Sequence, residues 1–187
     1  MRIVSGSMRG TKLYTLDGMD VTRPTLDRVK ESLFNILNFR IKDALVLDLF
    51  AGSGALGLES VSRGAKKSYF CDSSFEAIKI INKNIEKTRC QDMTEVIQKD
   101  YKKALEKFKN DNLKFDIVFL DPPYKTGYTK EALEIILDKN LLEEDGIIII
   151  ETDIEKEVLE EIQDFSIDIY DVRKYGRVSL IFVRRKG

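Results

Sequence analysis

The chain of 187 residues contains no histidine. That removes the commonest metal ligand and the side chain most often used as a general base near neutral pH. Its two cysteines, Cys71 and Cys90, have no partners at metal-ligand spacing, so no metal site is expected. Chemistry in this chain must come from carboxylates, carbonyls, positioning or a cofactor. No apolar run approaches the length of a membrane span. Only two apolar residues follow Arg2, which is not a signal pattern. A cytoplasmic protein with no membrane partner is the expectation. Proline is also scarce, three in all against roughly one in twenty in average sequence. All three fall in two segments, Pro24 in one and Pro122-Pro123 in the other.

What is present fits a soluble globular chain: 43% hydrophobic and 34% charged residues, enough for one domain over residues 1–187 with a full core. The net charge of −1 hides an uneven distribution. Residues 1–40 hold seven Lys/Arg against four acids, and residues 172–187 hold six against none. Residues 143–171 hold twelve acids against Lys156 alone. A basic stripe is what backbone phosphates need, although charge alone is equally compatible with solvated surface. The acidic block has no functional reading at this level.

Residues 2–16 read as a short hairpin, strand-like at Arg2-Ile3-Val4-Ser5-Gly6 and Lys12-Leu13-Tyr14-Thr15, with Gly6 to Gly10 turning between them. So short a ribbon needs something to lie on, and its basic side chains could face a partner. Thr25 is a good N-cap for a helix with Leu26, Val29, Leu33, Ile36 and Leu37 facing inward. Its free N–H groups, with Arg23 and Arg28 beside them and Lys30 near, form a candidate anion site; an ordinary capped helix is the plain alternative. From Ala44 onward strands and helices alternate. Strands are expected at Ala44–Leu49, Lys66–Cys71, Thr94–Gln98, Phe115–Leu120 and Gly146–Glu151. Helices are expected at Ala55–Arg63, Phe75–Lys87, Tyr101–Lys109, Lys130–Asp138 and Lys156–Gln163. That alternation predicts a parallel sheet covered on both faces. Ser166–Tyr170 and Val178–Val183 have no helix between them, only Asp171 to Arg177, so they should pair as a hairpin with one strand antiparallel to the rest.

Two strand exits carry the chemistry. Val118-Phe119-Leu120 ends in Asp121-Pro122-Pro123-Tyr124. Two prolines stop a strand and make a stiff turn. The turn offers a carboxylate, a bare carbonyl and an aromatic face where open parallel sheets bind ligands. A flat heterocycle with an amino group fits it: the ring on Tyr124, the N–H bonds to Asp121 and the Pro122 carbonyl. A plain Asp-Pro turn is the bland alternative. The other exit is Asp48-Leu-Phe50-Ala51-Gly52-Ser53-Gly54-Ala-Leu-Gly57, a G-x-G-x-x-G pattern between strand and helix. Asp72 closes the next strand twenty residues past Gly52 and can take ribose hydroxyls. An adenosine-type cofactor follows. Asp48 before the loop would repel a pyrophosphate but suits an ammonium. Asp100, with Tyr101 or a nearby apolar side chain, could hold the adenine. The combination points to S-adenosylmethionine.

The run Asp48 to Glu59 with Asp121-Pro-Pro-Tyr124 resembles class I S-adenosylmethionine-dependent methyltransferases that act on exocyclic amines. Arg2-Ile-Val-Ser-Gly, Arg9-Gly-Thr-Lys-Leu13 and Thr22-Arg-Pro-Thr through Asn35 are similar to the RsmD family, and the likeness runs to Tyr175-Gly176 and the final strand. That resemblance implies methylation of the N2 amine of a guanine in 16S ribosomal RNA. It also implies a Rossmann-like α/β fold with seven strands, the last antiparallel, preceded by a hairpin and helix. The expected partner is 16S rRNA or the assembling small subunit, met by a monomer. Residues 1–40 face the RNA through Arg2, Arg9, Lys12, Arg23, Thr25, Arg28 and Lys30, with Pro123 near the target. Residues 41–187 form the cofactor-binding core. Asp72 stands where many methyltransferases have Glu. Three other readings remain at this stage: an adenine-N6 methyltransferase, which shares the Asp-Pro-Pro-Tyr motif, a nucleotide-dependent oxidoreductase, and a non-catalytic RNA-binding protein.

Overall fold

The computed structural model describes residues 1–16, 24–123 and 127–187, with backbone alone for residues 24–26. Five parallel strands are each followed by a helix. They are β1 (Leu45–Asp48), β2 (Lys67–Asp72), β3 (Thr94–Gln98), β4 (Phe115–Leu120) and β5 (Leu142–Thr152). The helices behind them are α2 (Ala55–Ser62), α3 (Phe75–Thr88), α4 (Tyr101–Asn110), α5 (Tyr128–Asp138) and α6 (Glu155–Ile162), with α1 (Pro24–Ile36) preceding β1. The sheet closes with β6 (Ile167–Tyr175) and β7 (Val178–Arg185). Strand order is β3-β2-β1-β4-β5-β7-β6. β7 runs antiparallel to β5 and to β6, as the missing crossover helix requires. The order reverses between β1 and β4, which opens a crevice at their carboxyl ends.

Alternation along the central strands builds a core on each face. Ile117 and Phe119 of β4, with Ile147 and Ile149 of β5, pack toward Val29, Leu33 and Phe34 of α1 and toward Leu37 just after it. Val118, Leu120, Ile148 and Ile150 pack toward α4, α5 and α6. Both faces are covered, so these strands read as unbroken apolar runs. On the α1 side, Ile36 does not face inward as the spacing suggested; it is exposed, and Phe34 takes the interior position. Helix α1 begins at Pro24, a residue suited to a first helical turn, so Thr25 lies inside the helix and not at its cap. The β6–β7 connection is also tighter than the sequence suggested. Pairing continues to Tyr175 and Val178, and Gly176 at φ +66° makes a two-residue turn.

The N-terminal ribbon is minimal, with one antiparallel bridge between Arg2 and Lys12. It rests on α2. The N–H of Ser7 donates to the Ser62 carbonyl at 2.7 Å, and that of Met8 to Ser62 Oγ at 2.9 Å. The N–H groups of Val4 and Ser5 donate to the two carboxylate oxygens of Glu59 at 2.8 and 3.0 Å. Ile3 and Leu13 bury their side chains among residues of α2 and α3.

Candidate active site

The glycine turn is held from behind by two carboxylates. Asp48, at the end of β1, accepts the Gly57 N–H at 3.1 Å and so satisfies an orphan donor in the first turn of α2. Gly54, in the cap position at φ +77°, supplies no side chain for that task. A Cβ on Gly57 would lie 2.3 Å from the Phe70 ring, so only glycine lets α2 sit this close to β2. Asp72 accepts the Gly52 N–H at 3.0 Å through one oxygen and the Ser74 N–H at 2.8 Å through the other. Each oxygen keeps a second acceptor direction for a ligand hydroxyl. Ser53 offers its carbonyl to Asn84 Nδ2 at 2.9 Å, while Ala51 donates its N–H to the Cys71 carbonyl at 3.0 Å. The turn is therefore held in shape by the protein's own hydrogen bonds.

Beyond β3, Asp100 caps α4 by accepting the Lys103 N–H at 3.1 Å, which holds its carboxyl below the ordinary range. Tyr101 is buried and donates its hydroxyl to Glu131 at 2.5 Å, with its ring 5.4 Å from that of Phe50. The open aromatic surface on this side therefore belongs to the half-buried Phe50, and Tyr101 braces it. Of the two candidates for a ligand ring, Tyr101 or a nearby apolar side chain, Phe50 is the more open.

The strand β4 tip lies beside the glycine turn. Asp48 pairs in register with Phe119, and the Leu49 N–H donates to the Phe119 carbonyl at 3.2 Å. Asp121 follows Leu120, which pairs with Ile150, so Glu151 is its neighbour on β5. Burial raises Asp48 to about 7, even though the Gly57 hydrogen bond pulls the other way; Asp72 and Glu151 add to the rise. Burial also pushes Asp121 well up, reinforced by Glu151, Asp48 and Asp153. Asp121 keeps an exposed surface all the same. Pro122 and Pro123 form one wall of a cleft whose other residues include Glu151, Thr152, Asp153, Ile154 and Thr129. Tyr124 lies outside the described residues.

The basic set divides. Arg2, Arg9, Lys12 and Arg28 are exposed, with Arg2 3.8 Å from Asp27. Lys30 is only 5% exposed and lies 3.3 Å from Glu59, with its ammonium also donating to the Arg2 carbonyl. Burial lowers its pKa despite Glu59. It is an internal ion-pair partner and cannot meet a phosphate, contrary to the sequence expectation. Arg23 lies outside the described residues, as does the Thr25 side chain.

Three further polar residues, Glu59, Asn84 and Glu151, build the site without belonging to either motif. Glu59, fully buried, also receives Arg63 at 2.9 Å. Asn84 binds both the N–H and the carbonyl of Tyr14, at 2.7 and 3.0 Å, as well as the Ser53 carbonyl. Glu151 ends a strand as Asp121 does. The signal for all three was a polar residue inside an apolar pattern: Glu59 after Leu56 and Leu58, Asn84 on the face of Ile81 and Ile85, Glu151 after four isoleucines.

The family model described as Conserved hypothetical protein 95 matches residues 1–184. A relative named putative rRNA methyltransferase YlbH from Bacillus subtilis is 37% identical over 187 residues, all of both chains. Ribosomal RNA small subunit methyltransferase D of Haemophilus influenzae is 38% identical over 160 residues, 85% of this chain and 82% of its own length. A solved structure called putative methyltransferase yhhF from Escherichia coli superposes with a TM-score of 0.81 at 28% identity, covering 100% of this chain and 98% of that one.

Proposed function

Because the chain belongs to the Conserved hypothetical protein 95 family, the RsmD family of RNA methyltransferases, we propose that it transfers a methyl group from S-adenosylmethionine to the N2 amine of a guanine in small-subunit (16S) ribosomal RNA. The observation that carries this reading is the adjacency of the Asp121-Pro-Pro turn and the glycine turn at the reversal of strand order. The names of the relatives support the RNA substrate.

The residues fit the cofactor. Asp48, Asp121, Glu151 and Asp153 repel one another and are costly to ionise together, so the site suits a ligand carrying positive charge. A dinucleotide pyrophosphate has no such match, since the first turn of α2 already receives a carboxylate. Asp48 would face the ammonium end, Asp72 the ribose, and Asp100 and Phe50 the adenine. The backbone of Ala51, Gly52, Ser53 and Gly54 would lie along the ligand, with Tyr101 behind Phe50. Bound S-adenosylmethionine supplies an electrophilic methyl on a sulfonium.

The chain's part is to make a poor nucleophile competent. An aromatic amine delocalises its lone pair into the ring. Asp121 and the Pro122 carbonyl, accepting its two N–H bonds, favour a pyramidal nitrogen and hold it in line, at about 3–3.5 Å from the atom it attacks. Positive charge growing on that nitrogen is stabilised by the same two acceptors, and Asp121 is placed to take the proton. The base must leave its stack to reach them, with Tyr124 stacking against it and Pro123 beside it. Arg2, Arg9, Lys12, Arg23 and Arg28 hold phosphates, and the enzyme acts as one domain and as a monomer. Asp121→Ala is expected to lower turnover about 10²–10⁴-fold with cofactor affinity kept. Unchanged turnover would defeat the role. A titration comparing NAD with S-adenosylmethionine checks the cofactor directly.

A further inference from the structure

An Asp-Pro-Pro turn can hold the exocyclic amine of guanine or of adenine, so the turn alone does not choose between them. The residue beside it can. Asp121 and Glu151 follow the paired residues Leu120 and Ile150 on neighbouring strands. Glu151 stands close enough to Asp121 to disfavour its ionisation, so the two carboxylates lie together at the strand exits. Glu151 lines the cleft together with Pro122 and Pro123. Glu59 is held by two N–H groups and two cations, whereas no donor among the described residues hydrogen-bonds the Glu151 carboxylate. A second carboxylate at the mouth of an RNA-modifying site is unfavourable toward phosphate. It is favourable toward a base edge that presents two N–H donors side by side.

Guanine presents such an edge, with its ring N1–H adjacent to its N2 amine. Adenine presents an N1 lone pair beside its N6 amine, and a carboxylate facing it is repelled. We infer that Glu151 is the specificity-determining residue: its carboxylate accepts the guanine N1–H while Asp121 accepts the N2 amine. This rests on the guanine-N2 reading and supplies its selectivity. It also gives a role to one member of the acidic block between residues 143 and 171.

The test uses 2-aminopurine, which keeps the N2 amine but has a bare lone pair at ring N1. The modified nucleotide is first mapped in ribosomal RNA. Small-subunit particles are then reconstituted with guanine or 2-aminopurine at that position, and methyl transfer is measured for the wild type, Glu151→Ala and Glu151→Gln. The wild type is expected to favour guanine by about 10–10²-fold. Glu151→Ala should lose most of its rate on guanine and bring the ratio close to one. Glu151→Gln keeps the side-chain shape and can turn its amide donor toward a bare nitrogen, so its ratio should also fall, which separates selectivity from a folding defect. A wild-type ratio near one, or variants that keep the wild-type preference, would overturn the inference. A wild type that methylates the mapped site but without this preference leaves the function reading standing. A wild type that methylates no guanine removes both.

Discussion

Asp48 is a carboxylate that the fold buries with no cation beside it among the described residues. In an unfolded chain it ionises near 4. In the folded protein burial moves it to about 7. Between those values the folded form keeps a proton that the unfolded form has released. Its contribution to stability is therefore fully present below about 4 and is lost as pH rises through about 7. Asp121 and Glu151, also raised, act with the same sign, and Asp72 faces the same space. The ligand-free protein should be measurably easier to unfold in urea at pH 8 than at pH 5, and Asp48→Asn should flatten that difference. Affinity for an ammonium-bearing cofactor should run the other way, tightening as pH rises through about 7 and losing that dependence in Asp48→Asn. Equal stability at both pH values would contradict the assignment. Asp48, Asp121 and the glycines were legible because each breaks a local pattern where packing gives no reason for it. Lys30 was not. A helix spacing says which way a side chain leans, but its partner Glu59 lies on another helix.

At the scale of elements, Glu59 joins the ribbon, α1 and α2 in one buried cluster. Removing its carboxylate strands Lys30 inside the protein and leaves Arg63 and two N–H groups without their acceptor. Glu59→Ala is expected to cost about 3–5 kcal/mol in urea unfolding. A loss below about 1 kcal/mol would show that the cluster relaxes or hydrates. Gly57→Ala is a smaller case: the new methyl meets the Phe70 ring, and a loss of about 1–3 kcal/mol is expected by the same measurement. Strands such as Thr94–Gln98 and Phe115–Leu120 were readable to the residue because apolar runs and turn residues bound them on both sides. The β6–β7 turn was misread because Asp171, Arg173 and Lys174 look like loop. They sit on an edge strand, where charged side chains are at home, and Arg173 lies 2.9 Å from Asp171.

For the whole molecule, the strand order decides the function, since it brings the exits of β1 and β4 together. The alternation of elements foretold a parallel sheet, and the missing last helix foretold β7. Ribbon and sheet also divide the charge: the ribbon carries exposed cations, while part of the acidic block is neutralised within the sheet, as where Asp168 binds Arg184 at 2.7 Å. No helix among the described residues is long and apolar enough to cross a membrane. If Arg2, Arg9, Lys12, Arg23 and Arg28 each release a counterion, RNA affinity should fall with salt along a log–log slope of roughly −4. Lys12→Ala should make that slope shallower by about 1, whereas Lys30→Met should leave it unchanged. A flat salt response would reject the basic face as the RNA contact.

The central claim is tested most directly by the identity of the product. Small-subunit particles from cells lacking this enzyme are incubated with it and S-adenosylmethionine carrying a labelled methyl, and the RNA is digested to nucleosides. The account predicts the label in N2-methylguanosine and in no other nucleoside. Label in N6-methyladenosine, or no label in RNA that the protein demonstrably binds, would contradict it.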